Sequence, residues 1–167
     1  MSGELLPYCS NHRTETILRH LFPVQQQSAS IDAIEWQNVS GLNNTDEIIV
    51  QYHEHNHCLN VILNRPKSFN ALTLDMIRIL RSTLEKALVN PDVHYVVFTS
   101  TNDKAFCAGG DVKNLRRGAE YAFQFFSEEF SLNHFIYEFC KKKPIVSMLN
   151  GITMGGKCDI QYLSMSL

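Results

Sequence analysis

Apolar positions in this chain change period several times, and each change marks an expected element. IIVQY (residues 48–52) and LNVIL (residues 59–63) read as two strands joined by the polar turn HEHNH. Beyond NRPKSFNAL (residues 64–72) the period becomes helical, with Ile77, Leu80, Leu84, Ala87 and Leu88 on one side. Thr73 is the expected N-cap, Asp75 stands in the first turn, and Asn90-Pro91 stops the helix. YVVFTS (residues 95–100) then reads as a buried strand feeding the small-residue turn of KAFCAGGDVK (residues 104–113). Asp111 is the expected N-cap of a helix opening over residues 112–117. Residues 118–140 form a second helical stretch, whose many aromatics are expected to pack the core. KKKP ends it, IVSML (residues 145–149) is another short buried strand, and NGITMGG is a second strand-to-glycine turn. Strand, strand, helix, strand, glycine turn and helix in this order predict a layered α/β domain.

Residues 1–45 lack such periodicity and carry Pro7, Pro23 and a Gln25-Gln26-Gln27 run. Residues 14–22 suit a short amphipathic turn, but Glu4 and Glu15 dilute the basic character expected of a mitochondrial presequence. A targeting leader and a disordered leader both remain open, with the structured domain expected over residues 46–167. Composition agrees with such a domain: of 167 residues, 44% are apolar and 19% charged. A formal charge of -2 gives no electrostatic case for nucleic acid or an anionic membrane. No apolar run approaches the length of a membrane span. Five scattered cysteines without paired spacing suggest free thiols in a reducing compartment.

Candidate chemistry centres on the two glycine turns. Paired glycines let a ligand approach the backbone closely, and N–H groups at a helix N-terminus favour anions. Two such turns, each after a buried strand, are suited to aim two N–H groups at one developing oxyanion. The alternating His53, His55 and His57 suggest a metal site, but a solvated hairpin tip explains them better. Cys107 reads as a small buried hydrophobe rather than a nucleophile working with His134. Lys141, Lys142 and Lys143 suit a solvated turn or a phosphate contact. Glu128 and Glu129 read from pattern alone as a solvated face.

NRPKSFNAL, KAFCAGGDVK and KKPIVSMLNGITMGG, in this order, resemble the crotonase (enoyl-CoA hydratase/isomerase) superfamily over residues 48–156. The resemblance implies an α/β fold, a crotonase-like ββα spiral, here incomplete and limited to its N-terminal portion. It also implies an acyl-CoA substrate whose thioester carbonyl is held by the N–H groups of Gly110 and Gly156. Lys67 and Ala108 would border the CoA arm. FFSEEFSLN (residues 125–133) and GITMGG resemble the 3-hydroxyisobutyryl-CoA hydrolase branch, which implies hydrolysis of a CoA thioester in valine breakdown and a mitochondrial location, otherwise a cytoplasmic one. Glu129 thereby becomes a substrate contact.

The same resemblance implies no metal and no separate cofactor, since CoA arrives as part of the substrate. It implies a possible homo-oligomer for the complete protein. The hydrolytic glutamate and aspartate of the branch are expected beyond Leu167, so the chain is expected to be a truncated form. After Gly156 the tail departs from the family, with Lys157 where another glycine is usual. Asp159 falls where hydratases carry a catalytic glutamate, and coincidence is the favoured account. Two alternatives therefore stand beside the hydrolase: an enoyl-CoA hydratase or isomerase, and a non-catalytic acyl-CoA-binding fragment.

Overall fold

The computed structural model describes residues 37–38 and 45–154. Every position of β3 (Cys58–Leu63) is buried, as its continuous apolar run requires of a strand covered on both faces. β2 (Ile48–His53) pairs with it antiparallel through the hairpin, and Ile48 and Val50 turn into the core. β1 (Gln37–Asn38) pairs with the outer side of β2, so two residues of the segment read as a leader join the sheet. β4 (Tyr95–Ser100) lies parallel to β3, and β6 (Ile145–Ser147) parallel to β4, giving the order β1-β2-β3-β4-β6.

Parallel neighbours need a crossover, and each has one. α1 (Leu74–Val89) connects β3 to β4 and presents Ile77, Leu80 and Leu84 to the sheet. Thr73 caps it by accepting from the Met76 N–H at 3.1 Å. Its C-terminal carbonyls are met from far along the chain: Lys143 Nζ donates to Ala87 O at 2.7 Å and Asn90 O at 2.6 Å. Burial lowers the pKa of that ammonium. Of the three lysines, Lys143 is therefore a helix cap, and Lys141 pairs with Glu138 at 2.6 Å.

α2 (Val112–Leu115) and α3 (Ala119–Cys140) lie in the crossover from β4 to β6. α3, packed on α1, buries Phe125, Leu132, Ile136 and Phe139 in the core, which at about 1.5–3 kcal/mol per side chain anchors the helix. The expectation that its aromatics fill the core holds for only one face. Phe123, Phe126, Phe130 and Tyr137 are exposed by 42–77%, because a helix packed on one side buries only one stripe. Glu128 stays on the solvated face, where it forms a two-pronged pair with Arg78 of α1 at 2.7 and 2.8 Å, whereas Glu129 is buried against that reading.

Two further strands were hidden in the glycine turns. β5 (Ala105–Cys107) and β7 (Ile152–Thr153) form a separate parallel pair. Strands of three and two residues are too short to show a period, which is why the sequence reads them as turn. The histidines also separate. His53 ends β2 and is buried rather than at the hairpin tip, and burial first, then His55, lowers its pKa. His57 stacks on His94 at 4.2 Å, and its Nδ1 lies 2.9 Å from Asp92 O. Among the described residues no group of three His, Cys, Asp or Glu is placed to hold a metal ion, and no helix is long and apolar enough to cross a membrane.

Candidate functional site

The segment after β3 wraps around β5 and sets the first glycine turn. Pro66–Ser68 form one turn of 3-10 helix, then Phe69 and Asn70 take φ values of 50° and 54°. Asparagine tolerates this left-handed conformation better than most residues. Its side chain, fully buried, binds in four directions. Nδ2 donates to Ser100 Oγ at 2.7 Å, Phe106 O at 3.1 Å and Ala105 O at 3.2 Å. Oδ1 accepts from the Arg65 N–H at 2.7 Å. Asn70 thus ties the end of β4 and two residues of β5 to the segment that follows β3.

Backbone bonds continue the wrap. Ala108 N–H donates to Phe69 O at 3.0 Å, Leu72 N–H to Gly109 O at 2.7 Å, and Asp111 N–H to Leu72 O at 2.9 Å. The Gly109–Gly110 peptide is therefore held by its carbonyl. Since a trans peptide points its N–H opposite to its C=O, the Gly110 N–H is aimed away from Leu72. It donates to no described residue, and Gly110 is half-buried. Gly109 has φ 88°, where a side chain would be strained. Gly110 is glycine for a different reason: a Cβ there would stand 2.9 Å from Phe125 Cζ on α3.

The helix that follows departs from expectation. It spans only Val112–Leu115, and Asp111 fills its N-terminus with its own carboxylate. Oδ1 accepts from Lys113 N at 3.0 Å and Asn114 N at 3.4 Å, while Oδ2 accepts from Arg65 Nη2 at 2.7 Å. No helix N-terminus is left for an anion, and the Gly110 N–H is what the turn offers. Burial alone would raise the Asp111 pKa, but the hydrogen bond and charge of Arg65, with the N–H groups of Asn114 and Lys113, hold it below the ordinary carboxylate range. The stabilisation is then complete above the unfolded carboxylate pKa of about 3.9 and is lost as pH falls through the lowered folded value. Asp111→Asn is expected to lose less stability than the parent between neutral pH and pH of about 3, read as urea midpoints. Equal acid losses in both proteins would exclude this role.

The approach to the second glycine turn, as far as Met154, comes alongside the first. From β6 the chain passes Gly151, with φ 65°, into β7, where Ile152 N–H donates to Lys104 O and Met154 N–H to Cys107 O, both at 2.9 Å. Met154 is thus bonded to the residue three before Gly110. Gly156, the other expected donor, lies outside the described residues, as do Lys157, Asp159 and the amphipathic segment at residues 14–22.

Of the other expected site residues, Glu129 is 6% exposed, one helical turn beyond Phe125 on the buried stripe of α3. Phe125, whose ring stands against Gly110, lies four residues before Glu129 on the same helix face. Lys67 is exposed on the 3-10 turn, and Ala108 is half-buried with its N–H on Phe69 O, just after that turn. Cys107 is buried with Sγ 3.3 Å from Asn70 O, consistent with a packed thiol. Sequence reasoning gave Arg65 and Asn70 no role of their own. A polar Arg and Asn between a buried strand and a capped helix were the available signal, since polar groups there need partners.

Sheet, crossover helices and the β5–β7 pair beside the first glycine turn together define a domain of the crotonase type. A family model described as enoyl-CoA hydratase/isomerase matches residues 58–163, and the chain belongs to that family. It is 40% identical over 150 residues to human mitochondrial 3-hydroxyisobutyryl-CoA hydrolase, covering 86% of this chain and 33% of that protein. The enzyme of the same name from Xenopus tropicalis is 43% identical over 104 residues, or 59% of this chain and 26% of that protein. The chain spans about a third or less of the length of these curated relatives. Among solved structures, an enoyl-CoA hydratase from Bacillus anthracis superposes with a TM-score of 0.62 at 26% identity, over 71% of this chain and 44% of that one. One from Rhodobacter sphaeroides gives 0.61 at 33%, over 68% and 34% respectively.

Proposed function

We propose that this chain carries the thioester-binding part of a 3-hydroxyisobutyryl-CoA hydrolase-like enzyme. In this reading the Gly110 N–H and the Gly156 N–H receive the thioester oxygen as it gains negative charge. Fixed backbone dipoles suit that task because they need no reorganisation during reaction, and losing one such donor costs about 3 kcal/mol of transition-state stabilisation. Glu129 contacts the acyl group, while Lys67 and Ala108 border the CoA arm. CoA arrives with the substrate, and no metal or separate cofactor takes part. The observation that carries the reading is the bond from Met154 to Cys107, which brings the approach to the second glycine pair beside the first. A mitochondrial location is proposed from the names of the human and frog relatives, and valine breakdown from the resemblance of residues 125–133 to that branch.

The solved enoyl-CoA hydratases favour a second reading, addition of water to an enoyl thioester. The two are separated by offering the full chain a 3-hydroxyacyl-CoA and crotonyl-CoA while following free thiol and loss of the conjugated double bond. Binding of the hydroxyacyl thioester in preference to crotonyl-CoA is the expected result, with thiol release only where the downstream carboxylates are joined to this part. Loss of the double bond without thiol release would replace the hydrolase reading with the hydratase one. Binding of both thioesters with turnover of neither would leave this chain as an acyl-CoA-binding unit.

A further inference from the structure

Arg65 joins three separate parts of the site with one side chain. Nε pairs with Glu47 Oε1 at 2.8 Å, Nη2 with Asp111 Oδ2 at 2.7 Å, and Nη1 donates to Ala71 O at 2.7 Å. Glu47 in turn accepts from Thr73 Oγ1, the cap of α1, at 3.1 Å. Only a planar fork serves three acceptors in this way, which a lysine ammonium on a flexible stem does not.

The third contact reaches furthest. Ala71 O and Leu72 N–H belong to one peptide group, and Leu72 N–H donates to Gly109 O at 2.7 Å. Gly109 O and Gly110 N–H belong to the next. The guanidinium therefore stands at the head of a hydrogen-bonded relay of two peptides that ends on the Gly110 N–H. A cation that draws electron density from the first carbonyl makes each following N–H a stronger donor, since hydrogen bonds in series polarise one another. Both bonds of the relay are short, and the Arg65 side chain is only 21% exposed, so solvent screens it weakly.

We propose that Arg65 is a positioning residue that fixes and polarises the Gly110 N–H through the Ala71–Leu72 and Gly109–Gly110 peptides. It touches no substrate in this scheme. The inference rests on the proposed role of Gly110, but the relay itself can be measured without any substrate.

The experiment compares the full chain with Arg65→Met, Arg65→Lys and Glu47→Gln. Glu47→Gln removes one ion pair and leaves the Ala71 contact, so it controls for general loosening of the site. The first readout is the amide proton and nitrogen chemical shift of Gly110. The second is the carbonyl stretch of bound acetyl-CoA labelled with carbon-13 at the carbonyl, with its dissociation constant. Arg65→Met is expected to move the Gly110 amide upfield, shift the carbonyl band toward its free position and weaken binding by about tenfold, the effect of one charge-assisted hydrogen bond. Arg65→Lys should recover part of each change, and Glu47→Gln should leave the Gly110 shift nearly unaltered. If Arg65→Met does not fold, Arg65→Lys against Glu47→Gln carries the comparison. A Gly110 amide that is the same in the parent and the folded Arg65 variants, or equally moved in Glu47→Gln, overturns the proposal. Should the parent chain fail to bind or polarise the thioester, the proposed function falls, and the amide shifts still decide the relay.

Discussion

Gly151→Ala is expected to lower stability by about 3 kcal/mol or more, enough to leave a marginal domain largely unfolded. Two independent costs add. The residue sits at φ 65°, where a Cβ costs about 1–2 kcal/mol. That Cβ would also stand 2.1 Å from Lys104 O and 2.4 Å from Lys104 C, which are backbone atoms with no rotamer to change. The strand cannot simply retreat, because Ile152 N–H is bonded to the same Lys104 O at 2.9 Å. Overpacking of this kind costs about 1–3 kcal/mol further. Urea denaturation of the full chain measures it, and a midpoint within error of the parent would show that β7 does not need its pairing with β5. Since that pairing brings Met154 beside Cys107, the acyl-CoA binding proposed above should fall with it.

Asn70→Ala is expected to cost about 3–4 kcal/mol. Ala105 O retains the Ser100 hydroxyl as a donor at 2.9 Å. Phe106 O loses its bond from Asn70, and the Arg65 N–H loses its acceptor. At about 1–3 kcal/mol for each buried group so deprived, these two losses dominate. The left-handed conformation adds a smaller penalty for alanine, so Asn70→Gly should recover about 1 kcal/mol and no more. Equilibrium unfolding of the three proteins separates the terms. If glycine restored the whole loss, backbone strain rather than hydrogen bonding would be the role of this side chain.

The main elements were legible because their residues report burial directly. YVVFTS became β4 with the expected bounds, and Thr73, Ile77, Leu80 and Leu84 marked the cap and buried stripe of α1. Local pattern carries that information, since strand and helix periods repeat within a few residues. The extent of the helix after Asp111 was not legible, because a good cap says where a helix starts and nothing about where it ends. The aromatic run of α3 was misread for a related reason. Composition says that a helix is apolar, while the neighbour it meets decides which of its faces is buried.

The site divides along the same line. Sequence by itself determined that two glycine turns each follow a buried strand, and that the motifs around them resemble one family. It also determined that Gly110 precedes a capping aspartate. Only the tertiary structure decided that β4 and β6 are neighbours, that β5 and β7 pair, and that Met154 is bonded to Cys107. It alone assigned Arg65 to Glu47, Asp111 and Ala71, and Asn70 to both strands that lead into the turn. The physical reason is range. Period, capping and glycine preference arise between residues a few positions apart, whereas the Gly109–Gly110 peptide is held by Leu72 and Asp111 by Arg65, dozens of residues earlier in the chain. No one-dimensional pattern records such a partnership until the chain has folded.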